Sequence, residues 1–222
     1  MSFLSHGSRF MAFMDRLADV FILNLIWLLA SLPIVTIGAS TTAAFSVAMK
    51  LAEEKEEASI WKAFWKAFRL NFRQGSLLWT LQAVALYALS LDIQIISLTP
   101  EPSFLLVAAS AVSIGFIVPM FLYAYPQAAR YENGLWNILK NSYRISFRYI
   151  VKTLILVAVL ALEWAVFSWN SLFMFFGFLV GPMIAVYTIG GMALKIFADI
   201  ESASGPGPGT QEGATTGMGA KQ

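Results

Sequence analysis

The chain has 222 residues, 58% of them hydrophobic and 13% charged, with a formal net charge of +2 and a mean hydropathy of +0.68. A soluble domain carries roughly 25% charged residues, so this composition cannot wrap one core in a water-facing surface. Cysteine is absent and the single histidine, His6, precedes the first hydrophobic run, which excludes disulfides, thiolate-held zinc, iron–sulfur clusters and a lipidated Cys, and argues against a His metal site or a Ser-His-Asp triad.

Crossing about 30 Å of hydrocarbon takes roughly 20 mainly apolar residues in a helix. The first such run, 20–37, continues without a clear small-residue cleavage site and is followed by more spans, so it reads as retained rather than as a cleaved signal peptide. Segment 39–51, ASTTAAFSVAMKL, is short and only moderately apolar. Segment 76–98 is a span interrupted late by Asp92 and Gln94, and 104–125 is another. The stretch 153–197 is too long for one pass and is expected to be a hairpin turning near Asn170. From Ser202 onward, Gly and Pro dominate and large apolar residues almost vanish, so 202–222 is expected to be a disordered tail after one membrane domain at 1–201.

The distribution of Lys and Arg orients these spans, because both favour the cytoplasmic side. Residues 50–73 hold Lys50, Lys55, Lys62, Lys66, Arg69 and Arg73; residues 130–152 hold Arg130, Lys140, Arg144, Arg148 and Lys152. The intervening loops on the other side carry only Asp92, Glu101 and Glu163. If 39–51 returns through the membrane with 32–38 as an outer turn, the chain has six passes, both termini are cytoplasmic, and every Lys and Arg is inside. The alternative is five passes with Arg9 and Arg16 outside. The expectation is therefore an all-α membrane bundle of about six transmembrane helices, with two amphipathic cytoplasmic helices at the interface.

Those two helices are visible in the pattern. In 59–73, Trp61, Phe64, Trp65, Phe68 and Phe72 recur at three- and four-residue spacing beside Lys62, Lys66, Arg69 and Arg73. Trp136, Leu139, Tyr143 and Phe147 stand likewise beside Lys140, Arg144 and Arg148. A shift of 75 positions superimposes Trp61 on Trp136, Phe68 on Tyr143, Arg69 on Arg144, Phe72 on Phe147 and Arg73 on Arg148, which suggests an internal repeat of 58–125 and 133–197. Two readings of the cations stay open: contact with anionic lipid headgroups, or docking of a cytoplasmic partner. The acidic run 53–57 before the first block reads as a solvated loop.

An ionisable side chain inside a span marks a candidate site. Glu163 lies roughly 15 Å along its span from Thr153 at 1.5 Å per residue, where a proton, a cation or a sugar hydroxyl could be bound, or where it is simply held within the bundle. Asn24, Gln82 and Asn170 suit hydrogen bonds between helices. Pro119, Pro126 and Pro182, with Gly177, Gly181, Gly190 and Gly191 nearby, fit close packing as well as the broken helices of transport sites. No phosphate-binding, dinucleotide-binding, zinc-protease or serine-hydrolase motif is present. The chain is expected not to be an enzyme, to hold no metal or cofactor and to bind no nucleic acid.

Segment 24–41, NLIWLLASLPIVTIGAST, resembles the YesL family, and 64–75, FWKAFRLNFRQG, looks like that family's second hallmark. The family consists of small bacterial membrane proteins of unknown function, and no site residues can be carried over from it. What the resemblance implies is a genetic setting beside sugar ABC transporters. It suggests an accessory subunit of a carbohydrate uptake system docking through its basic helices, with a self-contained transporter using Glu163, or a scaffold or signalling protein, as the competing expectations.

Overall fold

The computed structural model describes residues 3–53 and 59–203, and every element among them is a helix. In order these are α1 (Phe3–Ala30), a 3-10 turn (Ile34–Thr36), α2 (Ile37–Ala52), α3 (Ile60–Leu98), α4 (Phe104–Arg130), α5 (Leu135–Arg148), α6 (Ile150–Phe167) and α7 (Ser171–Ala203). The Gly/Pro-rich tail from 204 onward and Glu54–Glu57 lie outside the described residues.

The expected first span, 20–37, is not one helix. α1 ends at Ala30, because Pro33 supplies no backbone N–H and disfavours a helical Leu32 before it. The Thr36 hydroxyl donates to Ala30 O at 2.6 Å and pins the turn. The chain then reverses into α2, so the expected turn at 32–38 is largely present and 39–51 is indeed a separate helix. Among the described residues, five helical segments are long and apolar enough to cross a membrane: the 3-10 turn with α2, then α3, α4, α6 and α7. α1 is not among them, since Asp15, Arg16 and Asp19 interrupt it before its apolar second half.

The modest hydropathy of α2 has a tertiary cause. Ten of its 16 residues are buried, among them Gly38, Ala39, Ser40, Thr42, Ala43, Ala44 and Ala48, and 56% of its apolar window is covered by protein against 6–17% in the other four. Small side chains let neighbouring helices approach closely. At the tightest approach, a Cβ on Gly38 would stand 2.0 Å from Gly75 O, and one on Gly75 would stand 2.7 Å from Ala39 Cα. Backbone therefore touches backbone where α2 meets α3.

α3 also departs from expectation. The amphipathic segment 59–73 is not a free-standing interfacial helix; it runs unbroken into the span as one helix of 39 residues. At 1.5 Å per residue that is about 58 Å, nearly twice the hydrocarbon thickness. Gly75, which could end a helix, is instead the point of contact with α2, so the helix continues through it. α5 is a separate element as expected, divided from α6 at Tyr149 (φ −114°, ψ 43°). The Thr153 hydroxyl lies 3.1 Å from both Ser146 O and Tyr149 O and supports the carbonyls at that break.

The packed core gathers Leu23, Ala44, Phe45, Met49, Phe64, Leu78, Tyr125, Ile138 and Met183, with a second group of Tyr123, Ile145, Leu156, Ile196 and Phe197 drawn from α4, α5, α6 and α7. Elsewhere α3, α4, α6 and α7 expose broad apolar faces, including Val84, Tyr87, Phe104, Leu105, Leu162, Trp164, Leu172 and Phe175. A surface of that kind fits hydrocarbon and not water. The protein is a multi-pass helical membrane bundle.

Candidate partner and lipid interface at the basic end

The ends of α2, α4 and α7 meet the start of α6, α5 and Gln74 of α3 in a polar network that holds this end of the bundle together. Arg130 donates to Glu53 Oε1 at 2.5 Å and lies 3.4 Å from Glu201 Oε1, while the Tyr131 hydroxyl donates to Glu201 at 2.7 Å. Burial and the adjacent Glu201 carboxylate push the Tyr131 hydroxyl up to about 12, so it remains a donor at neutral pH. Lys152 reaches Asp199 at 2.7 Å. The Gln74 amide donates to Asn133 O, and the Gln127 amide to Ser142 Oγ at 2.8 Å. Glu53 is thus an ion-pair partner rather than part of a merely solvated acidic loop.

The first basic stripe stands on the open side of α3. Lys62, Lys66, Arg69 and Arg73 are all exposed, and none has a carboxylate partner among the described residues. The aromatic residues beside them do not form one membrane-facing surface. Phe64 is fully buried against the bundle with Ala63 and Ala67, Trp65 and Phe68 are half-buried, and Trp61 and Phe72 are exposed. The rings form a ladder along the helix, Trp61 to Trp65 at 5.7 Å, Trp65 to Phe68 at 5.2 Å and Phe68 to Phe72 at 5.6 Å. Such offset and edge contacts fix large side chains in place. Trp61, Lys62, Trp65, Lys66, Arg69 and Leu70 line an open groove of about 690 Å³.

The second stripe differs in its surroundings. α5 buries Ile138, Leu139, Ser142, Ile145 and Ser146, and the Ser146 hydroxyl donates to Pro119 O of α4 at 2.7 Å. Tyr143 stacks on Phe116 of α4 with ring centroids 5.1 Å apart, whereas Trp136 stays exposed. Lys140, Arg144 and Arg148 are exposed. Arg144 and Arg148 line a cleft of about 530 Å³ against α4 and the end of α7, and Lys140 does not.

The intramembrane polar residues are not brought together. Asn24 of α1 donates to Leu179 O of α7, near Pro182, and its own Oδ1 is buried without a partner among the described residues. Glu163 of α6 meets α7 at Gly181, with Oε1 3.9 Å from where a Gly181 Cβ would sit and Oε2 buried without a partner among the described residues. It lies only four residues from the end of α6, so it is nearer that end than the basic one. Gln82 of α3 accepts from the Tyr125 hydroxyl of α4 at 2.5 Å. Asn170 is outside the spans and caps α7, its Oδ1 accepting from Phe173 N at 3.0 Å.

Sequence reasoning missed Gln127, Ser142, Ser146, Glu201 and Asp199, ordinary polar residues that belong to none of the motifs, although Ser142 and Ser146 share α5 with the second basic stripe. The one available signal was their position within a turn or two of the basic helix ends.

Residues 20–93 match the family described as protein of unknown function, DUF624. The matched stretch, about a third of the chain, runs from the second half of α1 through α2 and most of α3. It includes the Gly38–Gly75 contact and the whole α3 stripe, and it overlaps both segments that resemble the YesL family. No curated protein and no solved structure matches the chain.

Proposed function

We propose that the chain is a non-enzymatic accessory subunit of a carbohydrate ABC-type uptake system, sitting in a bacterial plasma membrane with both termini cytoplasmic. It docks its partner through the α3 stripe. The observation that carries this reading is the state of the cations. Arg130 and Lys152 are engaged in ion pairs, while Lys62, Lys66, Arg69 and Arg73 have no carboxylate partner among the described residues and stand beside exposed Trp61 and Phe72. Exposed cations interleaved with fixed aromatics suit an acidic protein surface, because the rings supply area at low entropic cost and the charges set register. The link to carbohydrate rests on the YesL resemblance alone.

The test is purification of the tagged protein from its native membrane in mild detergent, with mass spectrometry of what accompanies it. Permease or ATPase subunits of a sugar transporter are expected, and they are lost when Lys62, Lys66, Arg69 and Arg73 are all changed to Glu. A homo-oligomer with no other subunit overturns the reading.

The unpartnered Glu163 Oε2 favours a second reading, a small self-contained transporter. Its weakness is that Asn24 and Glu163 meet α7 at different residues, Leu179 and Gly181, while Gln82 bonds to Tyr125 of α4, so the three share no contact. Glu163→Gln separates the two: partner capture survives it under the accessory reading, whereas transport by the purified chain in vesicles is abolished under the other.

A further inference from the structure

We propose that the cleft between α5 and the C-terminal end of α7 binds the phosphate group of an anionic phospholipid, with Arg144 and Arg148 as its ligands. This assignment needs no partner protein and separates the two basic stripes by function.

Arg144 and Arg148 are one helical turn apart and point to the same side of α5. Asn141, three residues before Arg144, lines the same cleft. Neither arginine has a carboxylate partner among the described residues; Arg148 lies only over the Tyr149 ring, 6.0 Å from its centroid. The acid in the lining, Glu201, shares Arg130 with Glu53 and accepts from the Tyr131 hydroxyl; against it stand two arginines, so the cleft remains net positive. Two guanidinium forks and an amide offer a phosphate several charge-assisted hydrogen bonds.

The remainder of the lining selects the kind of phosphate. Ile145, Phe197 and Ile200 give the cleft an apolar floor, which a free phosphate would leave unused and a glycerol backbone with its first acyl carbons would cover. The volume of about 530 Å³ is in the range of small-molecule sites. Position agrees with this. α6, apolar enough to cross a membrane, starts two residues after Arg148, and its first turns expose Ile150, Val151 and Leu154. The arginines therefore stand where a lipid phosphate sits when its chains lie along α6.

The experiment uses the purified full-length protein in detergent, with phosphatidylglycerol, phosphatidylcholine or inorganic phosphate added, read by native mass spectrometry and thermal unfolding. Phosphatidylglycerol is expected to stay bound and raise Tm, while the other two do neither. Changing both arginines, Arg144→Gln with Arg148→Gln, should weaken phosphatidylglycerol binding by about 10-fold or more per arginine. Lys195→Gln, which removes an exposed α7 cation outside the cleft, should leave it unchanged. Both arginines are exposed, so the lipid-free Tm reports whether the double variant has folded; if it has not, Arg148→Gln alone carries the test. Undiminished phosphatidylglycerol binding by a folded variant overturns the proposal. An equal response to inorganic phosphate also overturns it, identifying a free-anion site.

Discussion

Gly38→Ala adds a single methyl group at the point where α2 and α3 touch. In most exposed helix positions this exchange is favourable by about 1 kcal/mol, because alanine restricts the unfolded backbone and glycine does not. Here the new Cβ would stand 2.0 Å from Gly75 O and 2.6 Å from Trp79 Cβ, with Gly75 C at 2.8 Å. These are backbone atoms and the root of a side chain, so no rotamer change relieves them, and the helices must part by roughly 1 Å or more to restore ordinary contact. Overpacking of this sort costs about 1–3 kcal/mol, and more where the strain spreads along a buried helix. Since α2 is buried along most of its length, the upper part of that range applies. The gain in propensity offsets only part of it, leaving a net loss of about 2 kcal/mol, or about 4–8 °C in Tm for a chain of this size. Gly191 of α7 provides the control, because a Cβ there meets nothing within 4 Å. Thermal unfolding of the two variants in the same detergent should move Tm in opposite directions, Gly38→Ala down and Gly191→Ala level or up. A Gly38→Ala protein at least as stable as the parent would refute the close backbone approach and the packing of α2 derived from it.

Gly177→Ala places a Cβ 2.7 Å from Phe167 Cβ and Cγ in the α6–α7 hairpin; it should cost about 1–2 kcal/mol, and Phe167→Ala in the same chain should recover part of that loss when Tm is measured. Arg130→Gln removes the cation shared by Glu53 and Glu201. It should cost about 1–2 kcal/mol in low salt and less in high salt, read by unfolding at the two ionic strengths. Asn24→Leu gives up the bond to Leu179 O but also removes the unpartnered Oδ1, so the two effects should nearly cancel and leave stability within about 1 kcal/mol of the parent by thermal unfolding.

Composition and periodicity were enough to determine that this is a helical membrane bundle, because low charge and long apolar runs have no other stable solution. The distribution of Lys and Arg favoured the reversal before α2, and the apolar runs and periodicity placed the hairpin near Asn170 and the two segments carrying exposed cations. The sequence left the identity of α2 in doubt, since its Ala, Ser and Thr residues look weakly apolar when judged against lipid. Only the packed structure shows that protein covers it, and that Gly75 is a contact point where the local pattern reads as a possible break in α3. Likewise, Glu163, Asn24 and Gln82 look alike as polar residues in spans, yet they face different neighbours. The division of the cations into paired and unpaired was equally invisible. Periodicity along a helix records how much of each face is apolar, but which helix covers that face, and which acid reaches which base, follows from how several helices pack at once.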